Sequence, residues 1–211
     1  DTPEAAYARD RALIEKVIFH DGPKEEVVAT LTDEEKADLQ SLYLESAYYS
    51  DHCLGEFLRE MKARGLYENS VFIVTADHGD ELCEHGTIGH GKNLFNTALA
   101  VPLVITGPGI PAQSATWRVS NAMILPTIMD IFGRTHPFPA AYSLLGQGSG
   151  HNEIFAGIYR WDKIILPDGQ SAVRQGEELS FFDIAADPGE TSPREPFEEA
   201  LAGMDRLRQV S

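Results

Sequence analysis

Cysteine is nearly absent from this chain, and so is any excess of positive charge. The 211 residues hold two cysteines, Cys53 and Cys83, with neither a C-x-x-C pair nor zinc-knuckle spacing. That argues against a disulfide framework and a cysteine-built zinc site, and both read as ordinary thiols. Seventeen Lys and Arg stand against 33 Asp and Glu, a net charge of −16. Nucleic acid is thereby disfavoured as a partner, because counterion release needs basic side chains against phosphates. An acidic surface also resists anionic membranes. No apolar run is long enough to span a bilayer and no signal-like segment opens the sequence, so cytoplasmic and exported locations both stay open. Internal repeats and low-complexity tracts are missing too. What is present is a 43% hydrophobic composition, sufficient for an ordinary core.

The opening, through Gly22-Pro23, is polar and reads as a surface segment with one helical stretch around Arg9 to Ile18. Thr32, followed by Asp33, Glu34 and Glu35, predicts a capping box in which the threonine oxygen covers the third amide and Glu35 reaches back. Beyond it Leu39, Leu42, Tyr43, Ser46, Ser50, Cys53, Leu54, Phe57, Leu58 and Met61 recur at helical spacing, and Gly65 supplies the stop. The spacing predicts a long helix with one buried face. "VFIVT" and "VPLVIT" read as short apolar strands among helices, a pattern that suggests a parallel sheet covered on both faces. "ILPTIMDIFG" reads as a helix with Pro126 in its first turn and Gly133 as its stop. After Gly133 the texture turns rich in proline, glycine and small residues, which marks a boundary. We therefore expect residues 1–135 to form part of an α/β domain and residues 136–211 a small subdomain. In the latter, "EIFAGIYRWDKIIL", "SAVR" and "LSFFDI" predict antiparallel strands, "PDGQ" a tight turn, and "EPFEEALAGMDRLRQV" a closing amphipathic helix.

One stretch carries chemistry. "TADHGD" follows directly on the first apolar strand, and ligands of open α/β sheets gather beyond strand ends. Asp77 offers an anionic oxygen, His78 an imidazole nitrogen, and Gly79 leaves the approach open. A polar turn is the plainer alternative. His85, His90 and Lys92 follow, interleaved with Gly86, Gly89 and Gly91 in a loop with little apolar surface to bury them. A cation beside a metal site is what a tetrahedral anion needs. For His85 a purely structural hydrogen bond is the plainer reading.

The run "YLESAYYSDHCLGEFLREMKARGLYENSVFIVTADHGDELCEHG" through "GHGKNLFNTALAVPLVITGPG" resembles the sulfatase family of the alkaline-phosphatase-like superfamily. "ADHG", "CEHG", "GHGK", Phe95 and "VPL" occur in the family's order, and "LPTIMDIFG", "SLLG" and "LSFFDIAADPGE" continue it, from about Leu39 to Glu190. The resemblance implies an alkaline-phosphatase-like sheet sandwiched by helices, with Asp77 and His78 as ligands of a divalent metal. Calcium is the first expectation, with manganese, magnesium or zinc as alternatives. It implies Lys92 or His90 as the group on the ester oxygens, and a role for His85 beside the metal or the substrate. The implied substrate is a sulfate ester, aryl or carbohydrate. Asp187 and Glu190 fall in a structural turn, and His20, His52, His136 and His151 match no functional position.

The family's C/S-x-P-x-R nucleophile motif, whose Cys or Ser becomes formylglycine, and its early paired aspartate are both missing from these residues. The sequence therefore reads as the carboxy-terminal portion of a sulfatase-like protein. Expected consequences are weak metal binding, little turnover, and either self-association or pairing with the absent half. Two alternatives stay open: a phosphonate or phosphodiester hydrolase or phosphoethanolamine-type transferase of the same superfamily, and a non-catalytic anion-binding relative.

Overall fold

A computed structural model describes residues 3–112, 114, 117–139, 142–145 and 153–208, and the side chains within 9–207 of that range; His151 lies outside it. The chain divides into two compact units, Asp1–His90 with Val101–Ala112, and Gly91–Ala100 with Gln113–Ser211.

The first unit starts with α1 (Pro3–Ile18), α2 (Lys24–Thr30) and α3 (Asp33–Ala63). Leu13 and Val17 sit one helical turn apart on α1 and meet Val27, Val28 and Leu31, with Leu39 and Leu42 of α3 against them. The opening is thus core rather than the surface segment its polar composition suggests. Two apolar positions at i, i+4 suffice to bury one side of a helix whose other sides stay wet. The capping box forms as expected: Thr32 Oγ1 accepts from the Glu35 amide at 3.1 Å, and Glu35 Oε2 accepts from the Thr32 amide at 2.8 Å. Gly65, with φ +67°, ends the helix in the left-handed conformation that favours glycine.

The middle of α3 departs from expectation. No residue of this helix is fully buried, and Tyr43, Cys53 and Phe57 of the predicted face are exposed, Phe57 by 52%. Helical periodicity records that a face is apolar; it does not record that this chain covers it.

After α3, β1 (Phe72–Thr75) pairs with β4 (Leu103–Thr106), while β2 (Glu81–Leu82) and β3 (Ile88–Gly89) form a short hairpin. Phe57 and Tyr67 hold β1 through ring contacts with Phe72, at 6.3 and 5.2 Å between centroids. The parallel arrangement suggested by the apolar runs is corrected here: β1 and β4 are antiparallel, Phe72 opposite Thr106 and Thr75 opposite Leu103. The connection between them, residues 76–102, holds a hairpin and one helical turn, α4 (Asn96–Leu99). It has no crossover helix to return the chain to its starting end, as parallel pairing requires.

The second unit holds α4, α5 (Ile124–Ile131), the strands β5 (Ile154–Ile158), β6 (Trp161–Ile165), β7 (Gln170–Gln175) and β8 (Glu178–Asp183), and α6 (Glu198–Arg208). The strands form an antiparallel meander in the order β5-β6-β7-β8, joined by tight turns that include Asp168-Gly169. Alternation along β6 and β7 sends Ile164 and Ala172 to one face, where Ala200 and Met204 of α6 close the core with Phe181. Gly203 lets that helix approach closely, since a Cβ there would stand 2.0 Å from Ile164 Cδ1. Lys163, Ile165, Ser171 and Phe182 face the other way, so the central strands are buried on both faces. The overall class is α/β with a small antiparallel β subdomain and a C-terminal helix, as the sequence led us to expect.

Candidate metal centre

The β2–β3 hairpin explains how the histidine loop is held. Its rungs are Glu81 opposite Gly89 and Leu82 opposite Ile88. Ile88 anchors it by joining the core of the three helices, and Cys83 packs beside that core. Burial pushes the Cys83 thiol up from its ordinary pKa. Both thiols are free. The tip needs left-handed backbone at Cys83 (φ +85°) and Gly86 (φ +71°), and the Cys83 amide closes it by donating to Thr87 O at 3.0 Å.

One step beyond the last rung, Asp80 and His90 necessarily face each other. His90 Nδ1 lies 2.8 Å from Asp80 Oδ1. His78 joins them from the end of β1: its ring sits 3.8 Å, centroid to centroid, from that of His90. His78, Asp80 and His90 each present one donor atom, all within 4.8 Å of one another. His78 Nδ1 lies 3.0 Å from Gly79 O, a carbonyl that can only accept. That contact calls for a proton on Nδ1, so in the neutral ring the lone pair is the one on Nε2. This is how a metal-binding imidazole is usually oriented, by a hydrogen bond on its other nitrogen. Asp77 Oδ2 stands 3.7 Å from that open Nε2, on an exposed carboxylate, while Asp77 Oδ1 accepts from the His78 amide at 3.1 Å.

The residues singled out from the sequence thus fall into three places. Asp77, His78 and His90 lie at the strand tip. His85 does not join them: its Nδ1 is 2.9 and 3.1 Å from the two oxygens of Glu81, whose side chain is 1% exposed. That contact fixes the ring against a buried carboxylate inside the hairpin. Lys92 is exposed and belongs to the second unit, beyond Gly91 with its φ of +76°. Sequence reasoning missed Asp80, though it stands in the same "TADHGD". The signal was the hairpin itself, since pairing Glu81 with Gly89 places Asp80 against His90. Glu81 was missed because a buried glutamate in an acidic chain carries no mark of its burial.

The donor set is two imidazoles and a carboxylate, with a second carboxylate adjacent, a mixture of nitrogen and oxygen donors that fits a divalent metal ion.

Comparison with known proteins places this chain in a family. The Sulfatase family profile matches residues 17–134, more than half of the chain. Arylsulfatase K of Bos taurus is 29% identical over 85% of this chain and 38% of its own length. Choline-sulfatase of Rhizobium meliloti (strain 1021) is 25% identical over 81% of this chain and 36% of its own. The chain therefore spans less than two-fifths of the length of these curated relatives. Among solved structures, a 2-O GAG sulfatase superposes with a TM-score of 0.67 at 17% identity, covering 94% of this chain and 47% of the other. The phosphonate monoester hydrolase of Agrobacterium radiobacter gives 0.70 at 20%, covering 86% and 42%. At those identities the structural likeness speaks for the fold, whereas the profile match with its ordered motifs speaks for descent: this chain belongs to the sulfatase family.

Proposed function

We propose that this chain supplies the metal-holding and oxygen-binding elements of a metal-dependent sulfatase, an enzyme that hydrolyses sulfate esters. The observation that carries the proposal is the convergence of His78, Asp80 and His90 beside the end of β1, their donor atoms within 4.8 Å. Family membership and relatives named arylsulfatase and choline-sulfatase support it.

In this reading His78 Nε2, His90 and the carboxylates of Asp77 and Asp80 would hold the metal. When bound, the ion withdraws charge from the non-bridging oxygens of a tetrahedral sulfate ester. Calcium is the first candidate ion, and the two imidazoles suit manganese or zinc as well. Gly79 O keeps His78 in the tautomer that leaves Nε2 basic, and the hairpin ladder keeps His90 beside Asp80. Lys92, two residues beyond His90 in sequence, is the cation we assign to the ester oxygens. Being compact and three-donor, an ammonium suits a tetrahedral anion. His85 has the supporting role of bracing the hairpin through Glu81.

The nucleophile is not among these residues. A sulfatase uses a formylglycine made from the Cys or Ser of C/S-x-P-x-R, and neither Cys53 nor Cys83 stands in such a motif. We therefore place the nucleophile outside this sequence and expect the 211-residue chain by itself to turn over almost no aryl sulfate, since removing a nucleophile forfeits most of the rate. Calorimetric titration with manganese or zinc, followed by inorganic sulfate, tests the reading. One metal site that disappears in His78→Ala and in His90→Ala supports it. Metal binding unaffected by both substitutions would overturn it.

A further inference from the structure

In the second unit a lysine is buried where burial is expensive. Lys163 has no solvent exposure, and Glu190, at 2%, is its partner: Nζ donates to Oε1 at 2.7 Å and to Oε2 at 2.6 Å. Ser171 Oγ donates to Oε1 at 2.9 Å. The remaining bond leaves the sheet. The Asn96 amide donates to Oε2 at 2.6 Å, and Asn96 Nδ2 donates to Pro188 O at 3.0 Å. Glu190 itself is in the left-handed region, φ +52°, which a non-glycine residue adopts at a cost.

The stretch leading to Asn96 is strapped along its length. Asn93 and Leu94 are buried, the Phe95 amide donates to Asn93 Oδ1 at 3.3 Å, and the Phe95 ring meets Trp161 and Phe182 edge-on at 5.7 and 6.0 Å. Lys92 is the exposed residue immediately before this strap. A buried ion pair is weak evidence for stability, because desolvation offsets much of the attraction. What this one adds is a fixed position for a segment that the sheet's ladders do not reach.

We propose that Glu190, held in place by Lys163 and Ser171, is a positioning residue: it pins the Asn96 amide and thereby fixes the 93–96 strap from which Lys92 extends. The inference rests on the reading of Lys92 as the oxygen-binding cation for its functional consequence, while the pinning of the strap can be judged without it. The sequence marks Glu190 as the end of a "DPGE" turn; its geometry makes it the anchor of a segment 94 residues away.

Native-state hydrogen exchange on the unaltered chain gives the first test. The Asn96 amide is expected to exchange as slowly as those of Ile164 and Ala172 in the sheet; exchange about 100-fold faster than theirs means that the strap opens by itself and sinks the proposal. The second test removes both charges together, Lys163→Met with Glu190→Met, so that no uncompensated ion remains buried. We expect this double variant to fold with a somewhat lower melting temperature, because Ser171 and the Asn96 amide lose their acceptor, to lose about 100-fold in Asn96 protection, and to bind inorganic sulfate about 10-fold more weakly. Unchanged protection at Asn96 overturns the pinning. Lost protection with unchanged sulfate affinity, where Lys92→Ala does weaken sulfate, overturns the link to Lys92. Should Lys92→Ala leave sulfate binding unaltered, the assignment of Lys92 fails, and the exchange data alone decide the pinning. If the double variant does not fold, the exchange measured on the unaltered chain still decides.

Discussion

Asp80 Oδ1 and His90 Nδ1 lie 2.8 Å apart although ten residues separate them in sequence. The hairpin brings them together, since each stands one step beyond the Glu81–Gly89 rung. Cross-strand neighbours in such a position have Cβ atoms about 5 Å apart, close enough for a carboxylate and an imidazole to meet directly. His78, arriving from β1, completes the group.

Metal affinity should follow that group rather than the order of residues in the motif. His78→Ala, Asp80→Ala and His90→Ala are each expected to weaken manganese or zinc binding by about 100-fold, and Asp77→Asn by about 10-fold, as measured by calorimetry. His85→Ala should change metal affinity little and lower the melting temperature instead, because its ring rests on Glu81. An equal loss of affinity in His85→Ala would show that the hairpin histidine is a ligand after all.

Breaking the buried ion pair on one side has a large expected cost. Lys163→Met leaves the Glu190 carboxylate buried without its ammonium, and we expect about 3–5 kcal/mol of lost stability in urea denaturation. Burial draws the Lys163 pKa down, with Glu190 pushing it back up. A variant as stable as the parent would mean that water reaches Glu190.

Acid should act on two hydrogen-bonded carboxyls. The Ser192 amide, 2.8 Å away, holds the Asp187 carboxyl below its ordinary value. Lys16 and then the Thr32 amide do the same for Glu35. Both folded values are depressed, so their contribution is present above the unfolded value of about 4 and is lost as the pH falls through the lower folded one. Between pH 5 and 8 these two groups should leave stability flat. Carboxyl titration by NMR checks this, and a midpoint for Asp187 at or above the ordinary value of about 4 would contradict it.

The capping box of α3 is open to a single substitution. Thr32→Ala removes the acceptor for the Glu35 amide and should cost about 1 kcal/mol. Thermal unfolding followed by circular dichroism reads it, with Thr32→Ser as the variant that retains the cap.

Much of this was readable beforehand where a local signal and the tertiary structure agree. Thr32 with Glu35, Gly65, Asp168-Gly169 and Gly133 each punctuate the chain where the sequence says, because their reasons are local: an acceptor for orphan amides, or a left-handed φ. Where the outcome depends on what lies opposite, the sequence was silent. Tyr43 and Cys53 keep helical spacing yet stay exposed, and β1 meets β4 antiparallel because of the path between them. The site divided in the same way. Asp77, His78 and His90 were visible as residue types at a strand end. Asp80 became visible only through a register, and Glu190 only through a long-range contact.

The hairpin ladder also says where this segment can change length. Successive side chains of a strand alternate faces, so one residue inserted between Ile88 and His90 would send His90 to the side away from Asp80, whereas residues added in the 83–87 turn leave both rungs paired. Natural variation in length is therefore expected in the turn and not in the strands wherever the imidazole–carboxylate pair is retained.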